Sequence, residues 1–135
     1  MSAFHEIFLR AEKSDAEAIR DIGLAAGAKL NLDASSDDAM IRRAIVEYWV
    51  VEVETSHGYE DDFGIPFSEY PIAITIRDLE GDKQREESAA RSIFDNLASV
   101  GGYSQLLVFD LQKLLAASGN HYPFSAVSTF KQLRT

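Results

Sequence analysis

The stretch that decides the fold is RAIVEYWVVEVET, at residues 43–55. It is rich in β-branched and aromatic residues, which are typical of β-strands. Successive side chains of a strand point to opposite faces of its sheet. One face would therefore carry Ile45, Trp49, Val51 and Val53, and the other Val46, Tyr48, Val50, Glu52 and Glu54. We predict one continuous strand here, the strongest in the chain.

A second strand is predicted at residues 71–77, PIAITIR, because its isoleucines alternate with other residues. The two strands are joined by residues 56–70, SHGYEDDFGIPFSEY, which we call the acidic loop. Hairpin connections usually have about 2–5 residues, so this one is unusually long. Long ordered loops in compact domains frequently carry function. The acidic loop is therefore the first place to look for a site.

Two helices are predicted, one before and one after this central pair of strands in the chain. The first covers residues 14–27, where Ser14 and Glu17 have the spacing of a capping box and Gly27 can end the helix. The second begins after Asp82 and ends at a glycine pair. Its apolar stripe consists of Ala89, Ala90, Ile93, Phe94, Leu97 and Val100.

Two more strands are predicted at residues 4–11 and 104–109, since both stretches are largely apolar. Asp110 could then cap a short helix that Gly119 ends. Residues 28–42 fit a loop, a short helix or an early strand start, and the pattern does not choose among them. The tail after residue 120 shows no clear period.

The element order is therefore strand, helix, strand, strand, helix, strand, in one domain spanning residues 1–135. This order is typical of an α+β, ferredoxin-like (split βαβ) two-layer sandwich with both main helices on one face. We expect a short C-terminal helix and a tail after it. Because residues 4–11 are apolar on both sides, something should cover the second face. The C-terminal tail and a second subunit, which would make a homodimer, are the two alternatives.

Composition excludes several classes of function. The formal net charge is −9, which disfavours binding to nucleic acid phosphates. There is no cysteine, no basic leader followed by an apolar run, and no apolar run of about 20 residues. We therefore expect a cytoplasmic protein that does not enter a membrane. Between Arg43 and Arg77 the chain has no Lys or Arg but several acids, so a basic partner would be attracted there.

The candidate partner-binding residues lie at the end of the first central strand and in the acidic loop. They are Glu52, Glu54, His57, Tyr59, Glu60, Asp61, Asp62 and Phe63. Aromatic rings flanked by charge are typical of interfaces. Carboxylates beside an imidazole could also bind a metal or act as acid and base. The spacing matches no metal or cofactor motif, so we predict no metal and no cofactor, and we assign no catalytic residue.

The leading hypothesis is a non-catalytic protein-binding module, such as an inhibitor or immunity-type protein that covers a basic partner. One alternative is a small enzyme or a ligand- or metal-binding domain that uses the acidic loop. Another is a structural homo-oligomer that associates through the second face of the sheet.

Overall fold

The computed structural model describes residues 3–32 and 41–119. These residues form two helices and seven strands. A single turn of 3-10 helix, Phe67–Glu69, lies inside the acidic loop. The helices are α1 (Asp15–Ala26) and α2 (Lys83–Val100). The strands are β1 (His5–Ala11), β2 (Asn31–Leu32), β3 (Ile41–Val46), β4 (Trp49–Glu54), β5 (Ile72–Asp78), β6 (Tyr103–Phe109) and β7 (Lys113–Ser118).

The strands form one sheet in the order β2-β3-β4-β5-β1-β6-β7, and every neighbouring pair is antiparallel. The α+β class with an antiparallel sheet and two helices is thus confirmed. The ferredoxin-like arrangement is not, because the order of the complete sheet differs from that of the four-strand sandwich. Strands β2 and β3 extend the sheet beyond β4, and β7 extends it beyond β6.

Both helices begin where their capping residues predict. The Ser14 side chain accepts a hydrogen bond from the Glu17 N–H at 3.2 Å, and Gly27 ends α1 in the left-handed conformation with φ 74°. Asp82 caps α2 by accepting from the Arg85 N–H at 3.0 Å. These caps satisfy backbone groups that a helix end leaves without partners.

The main core lies between the helices and one side of the sheet, which we call the helix face. The buried residues of this core come from both helices and from alternate positions of the central strands. Ile72, Ile74 and Ile76 all belong to it, as the alternation in β5 predicts. We call the opposite side of the sheet the loop face, because the acidic loop covers its centre.

The predicted single strand at residues 43–55 is wrong, since the chain reverses in the middle of it. Strands β3 and β4 form a hairpin whose two turn residues are Glu47 and Tyr48. Glu47 has φ 52°, a conformation usually reserved for Gly, Asn or Asp. The reversal pairs Ile45 with Val50, so Ile45 lies on the opposite face from the one predicted.

The predicted short helix after Asp110 is also wrong, because residues 113–118 form β7. Asp110 and Leu111 both have positive φ, 56° and 58°, and they turn the chain directly from β6 into β7. Two successive left-handed residues are the geometry of a tight hairpin turn. Neither is glycine, so the sequence lacks the Asp-Gly pair that would mark such a turn. The predicted C-terminal tail lies outside the described residues.

Candidate functional site

The acidic loop folds back over the loop face and contributes to its core. Ile65, Phe67 and Tyr70 are buried there with Phe8 of β1, and the rings of Phe8 and Phe67 lie 4.7 Å apart between centroids. The loop and Leu114 of β7 therefore cover the central strands of this face, which we had expected the tail or a second subunit to cover. A second subunit is therefore not needed to cover the centre of this face.

His57 anchors the beginning of the loop through both of its ring nitrogens. Nδ1 accepts the Tyr59 N–H at 3.1 Å, so Nε2 carries the proton and donates to the Tyr70 carbonyl. The ring also packs against Phe8, with centroids 5.2 Å apart. This geometry requires a neutral imidazole. His57, predicted as a partner-binding residue, is occupied instead in holding the two ends of the loop together.

The tip of the loop is ordered by its own hydrogen bonds. Asp62 and Ile65 exchange backbone hydrogen bonds at 2.8 and 3.2 Å, which closes a tight turn with Phe63 at φ 52°. The Asp61 carboxylate accepts the Ser68 N–H at 2.8 Å, and this bond lowers the pKa of Asp61. The predicted acids of the tip are therefore presented on a fixed backbone.

The outer surface of the tip is exposed and negatively charged. Glu60, Asp61 and Asp62 are exposed, and none forms an ion pair with a described lysine or arginine. Tyr59 and Phe63 are 40 % and 59 % exposed. The sequence predicted these five residues as candidates, and the structure places them together.

A pocket of about 540 Å³ lies between this tip and the β6–β7 turn. The residues that line it are Gly58, Tyr59, Glu60, Asp61, Asp62, Phe63, Phe67, Asp110, Leu111 and Gln112. Four of these lining residues carry a carboxylate and three carry an aromatic ring, and no lysine or arginine within residues 3–32 and 41–119 lines the pocket. Asp110 was not predicted as a site residue, because the sequence indicated a helix cap there.

The two strand carboxylates, Glu52 and Glu54, lie on the loop face as predicted but do not act as a pair. Glu52 accepts from Arg43 of the adjacent strand, with the Arg43 Nε at 2.8 Å. Its charge is thus neutralised inside the sheet, and Glu52 is not part of an open acidic surface. Glu54 is half-buried and lies near Glu6, whose pKa it raises.

Glu6 is the residue of this site that sequence analysis missed. It is 5 % exposed, and its one described hydrogen bond comes from the Thr75 hydroxyl at 3.1 Å. Burial, followed by the negative charges of Glu54 and Asp110, raises its pKa to about 7. The available signal was a carboxylate between Phe4 and Phe8 on one apolar side of a strand.

A contrasting carboxylate cluster lies on the helix face. Glu86 is fully buried and accepts from the His5 backbone N–H at 3.1 Å, the His5 ring at 2.7 Å and the Asp78 N–H at 3.0 Å. The Lys83 ammonium lies 3.3 Å away. This cluster joins α2 to β1 and β5, and its acceptors are well supplied with donors. We regard it as structural.

No family model, curated protein or solved structure matches the chain. Within the described residues, neither helix combines the length and the apolar character needed to span a bilayer. Residues 3–32 and 41–119 also contain no group of three or more His, Asp or Glu side chains placed to hold a metal ion. The geometry of the loop face is therefore the basis for a functional proposal.

Proposed function

We propose that this protein is a non-catalytic binding module that engages a basic protein partner through the acidic loop. The observation that carries the proposal is the pocket lined by four carboxylates, from Glu60, Asp61, Asp62 and Asp110, where no lysine or arginine of the described part of the chain is among the lining residues. Such an opening attracts a lysine or arginine side chain and would repel an acidic partner.

The aromatic rings beside the carboxylates favour a protein over a free ion as the partner. Tyr59 and Phe63 keep large parts of their rings exposed at the edge of the pocket. Aromatic residues are enriched in protein interfaces, where their burial stabilises the complex while nearby charges speed association. A basic segment with an apolar neighbour would match both features of this surface.

The fixed backbone of the tip also supports the proposal. The Asp61–Ser68 hydrogen bond and the Asp62–Ile65 bridge hold the tip of the loop in one conformation before any partner arrives. Binding then costs less conformational entropy than it would for a loop that became ordered on contact. An inhibitor or immunity-type protein that covers a basic active site is one form that such a module could take.

Charge reversal at the tip tests this proposal. The partner is first isolated by affinity capture with the wild-type protein. We expect the double variant Glu60→Lys, Asp62→Lys to bind that partner at least tenfold more weakly, mainly through a slower association rate at low salt. Asp61 is left unchanged, because its side chain holds Ser68. The double variant Glu12→Lys, Asp95→Lys is the matched control, since it makes the same change in net charge at exposed positions away from the loop. Equal binding by both variants would contradict the proposal.

A second candidate function is a ligand-binding or catalytic site beside Glu6. The observation that favours it is the burial of the Glu6 carboxyl group, which is 5 % exposed. This burial raises the pKa of Glu6 to about 7, a value that suits a general acid or base at neutral pH. A thermal-shift screen with small metabolites tests it, because a ligand specific for the folded state raises Tm. A flat screen would leave the binding module as the better proposal. The predicted homodimer remains a prediction, and sedimentation tests it.

We also propose that β1, β4, β5 and β6, with the two helices, form a ferredoxin-like core that is extended at both edges. Support comes from strand direction: β1 runs parallel to β4, and β5 runs parallel to β6, each pair separated by one antiparallel strand. Hydrogen exchange tests it. The amides of these four strands should be the most protected, and those of β2 and β7 should exchange first.

A further inference from the structure

We propose that Glu6 is a proton-operated latch beneath the acidic loop. In the protonated form its side chain allows the loop to seat on the loop face, and in the ionised form it loosens the loop. The latch is a property of the isolated protein. Its consequence, control over how the docking surface is presented, rests on the proposed function.

The first support is that Glu6 is buried and that no counter-ion for it lies within residues 3–32 and 41–119. Glu6 is 5 % exposed, and the Thr75 hydroxyl is its one hydrogen-bond donor among the described residues. The carboxylates that act most strongly on it are Glu54 and Asp110, which carry the same sign. Ionising a carboxyl group in such a place is unfavourable unless water or a cation reaches it.

The bases on this face of the sheet have other contacts. Arg43 pairs with Glu52, Arg77 lies over the Phe4 ring at 5.9 Å, and Arg10 lies over the Tyr70 ring at 5.2 Å. Among the described residues, the charged or titratable groups on this side of the sheet include Arg43, Glu52, Glu54, Arg77, Asp110, His57, Tyr59, Tyr70 and Arg10. Within this described part of the chain, neither these three arginines nor His57 forms an ion pair with Glu6.

The second support is the contact between the loop and Phe8, the neighbour of Glu6 on the same face of β1. The Tyr59 pKa is raised by burial of its phenol and, after that, by the charge of Glu6. Phe8, two residues along the same face of β1, touches the rings of His57, Tyr59 and Phe67 at 5.2, 5.8 and 4.7 Å. Water that hydrates an ionised Glu6 must therefore disturb the packing that holds the loop.

The direction of the effect follows from the titration of Glu6. Its pKa is raised from 4.5 to about 7 in the folded protein, so the seated loop binds a proton that the opened loop releases. Raising the pH through neutrality therefore favours the opened loop.

Hydrogen exchange of the isolated protein at pH 6 and pH 8 tests the latch. Protection factors, which correct for the intrinsic pH dependence of exchange, are compared for the amides of Tyr59, Ile65 and Tyr70 and for Ile93 of α2. In the wild type we expect loop protection to fall about tenfold between these pH values, while Ile93 is unchanged. In Glu6→Gln we expect high loop protection at both.

A second variant separates a latch from a purely structural role. The Thr75 hydroxyl stabilises the ionised form of Glu6 by donating to it, so Thr75→Val should move the midpoint of loop opening to higher pH. A purely structural Thr75 would lower protection equally at every pH and leave the midpoint in place.

The latch is overturned if wild-type loop protection does not change with pH, or if Glu6→Gln shows the same fall as the wild type. It is also overturned if Thr75→Val leaves the midpoint unchanged. These outcomes are independent of the charge-reversal test at Glu60 and Asp62. A protein that binds no basic partner could still show the latch, and a protein without the latch could still bind.

Discussion

Two buried glutamates lie on opposite sides of the same sheet, and they differ in what surrounds them. Glu86 on the helix face is fully buried and receives hydrogen bonds from His5 and Asp78, with the Lys83 ammonium 3.3 Å away. Glu6 on the loop face is 5 % exposed and receives one, from Thr75, while Glu54 and Asp110 add like charge. His5 and Glu6 are consecutive residues, so the alternation of β1 alone sends them to these different surroundings.

Burial alone therefore does not determine the role of a carboxylate. A buried carboxylate with several donors stabilises the fold, and removing it leaves those donors without a partner. A buried carboxylate with one donor and like charges nearby lowers stability at neutral pH. Such costs concentrate at functional sites, and here the cost lies beneath the exposed acidic loop.

The largest effect is expected on the helix face. Glu86→Gln replaces a charged acceptor that holds α2 to β1 and β5, so we expect a loss of about 3 kcal/mol in the free energy of unfolding. Urea denaturation at pH 7 measures it. Glu87→Gln is the control, because the Glu87 side chain is 41 % exposed and should change stability by less than about 0.5 kcal/mol. Similar losses of stability in both variants would show that the buried Glu86 contributes no more than the exposed Glu87.

The loop face should respond with the opposite sign. The folded pKa of Glu6, about 7, lies above the unfolded value of 4.5, so this group's contribution to stability is highest below 4.5 and falls up to about 7. We expect Glu6→Gln to be more stable than the wild type by about 2 kcal/mol at pH 8, with the difference shrinking toward pH 5. Denaturation across this range checks it. A variant less stable at every pH would show that Glu6 is structural like Glu86.

A smaller effect is expected at the tip of the loop. Asp61→Ala removes the acceptor for the Ser68 N–H, so we expect a loss of about 1 kcal/mol at pH 7. Because the pKa of Asp61 is lowered in the folded protein, this contribution should disappear as the pH falls below about 4. Glu60→Ala at the neighbouring exposed position should be nearly neutral. If the two alanine variants were equally stable, the tip would not be held by Asp61.

Much of the scaffold could be predicted from the sequence, because local chemistry determines it. Ser14 and Asp82 cap their helices as their spacing predicts, and the isoleucines of β5 face the main core. The two errors share one cause. The turns at Glu47 and at Asp110 place non-glycine residues in the left-handed conformation, so neither shows the Asn-Gly or Asp-Gly pair by which a hairpin turn is recognised in a sequence.

The exposed acids of the candidate site could be predicted from the sequence, but the roles of its other residues could not. Exposure of Glu60, Asp61 and Asp62 follows from their composition, and the structure leaves them on the surface. The roles of His57, Glu52 and Glu6 depend on partners distant in the chain or across a strand pair. Tyr70 is 13 residues from His57, and Thr75 is 69 residues from Glu6. No local pattern contains such pairings, so the sequence could not assign these residues.

We infer that the buried Glu6 carboxyl of the loop face has no neutralising partner among the described residues, and titration of this side-chain carboxyl by carbon-13 NMR tests that inference most directly. We predict a midpoint close to 7 in the wild type that moves upward in Thr75→Val. A midpoint near 4.5 would show that the carboxylate is solvated or paired, and would contradict the account.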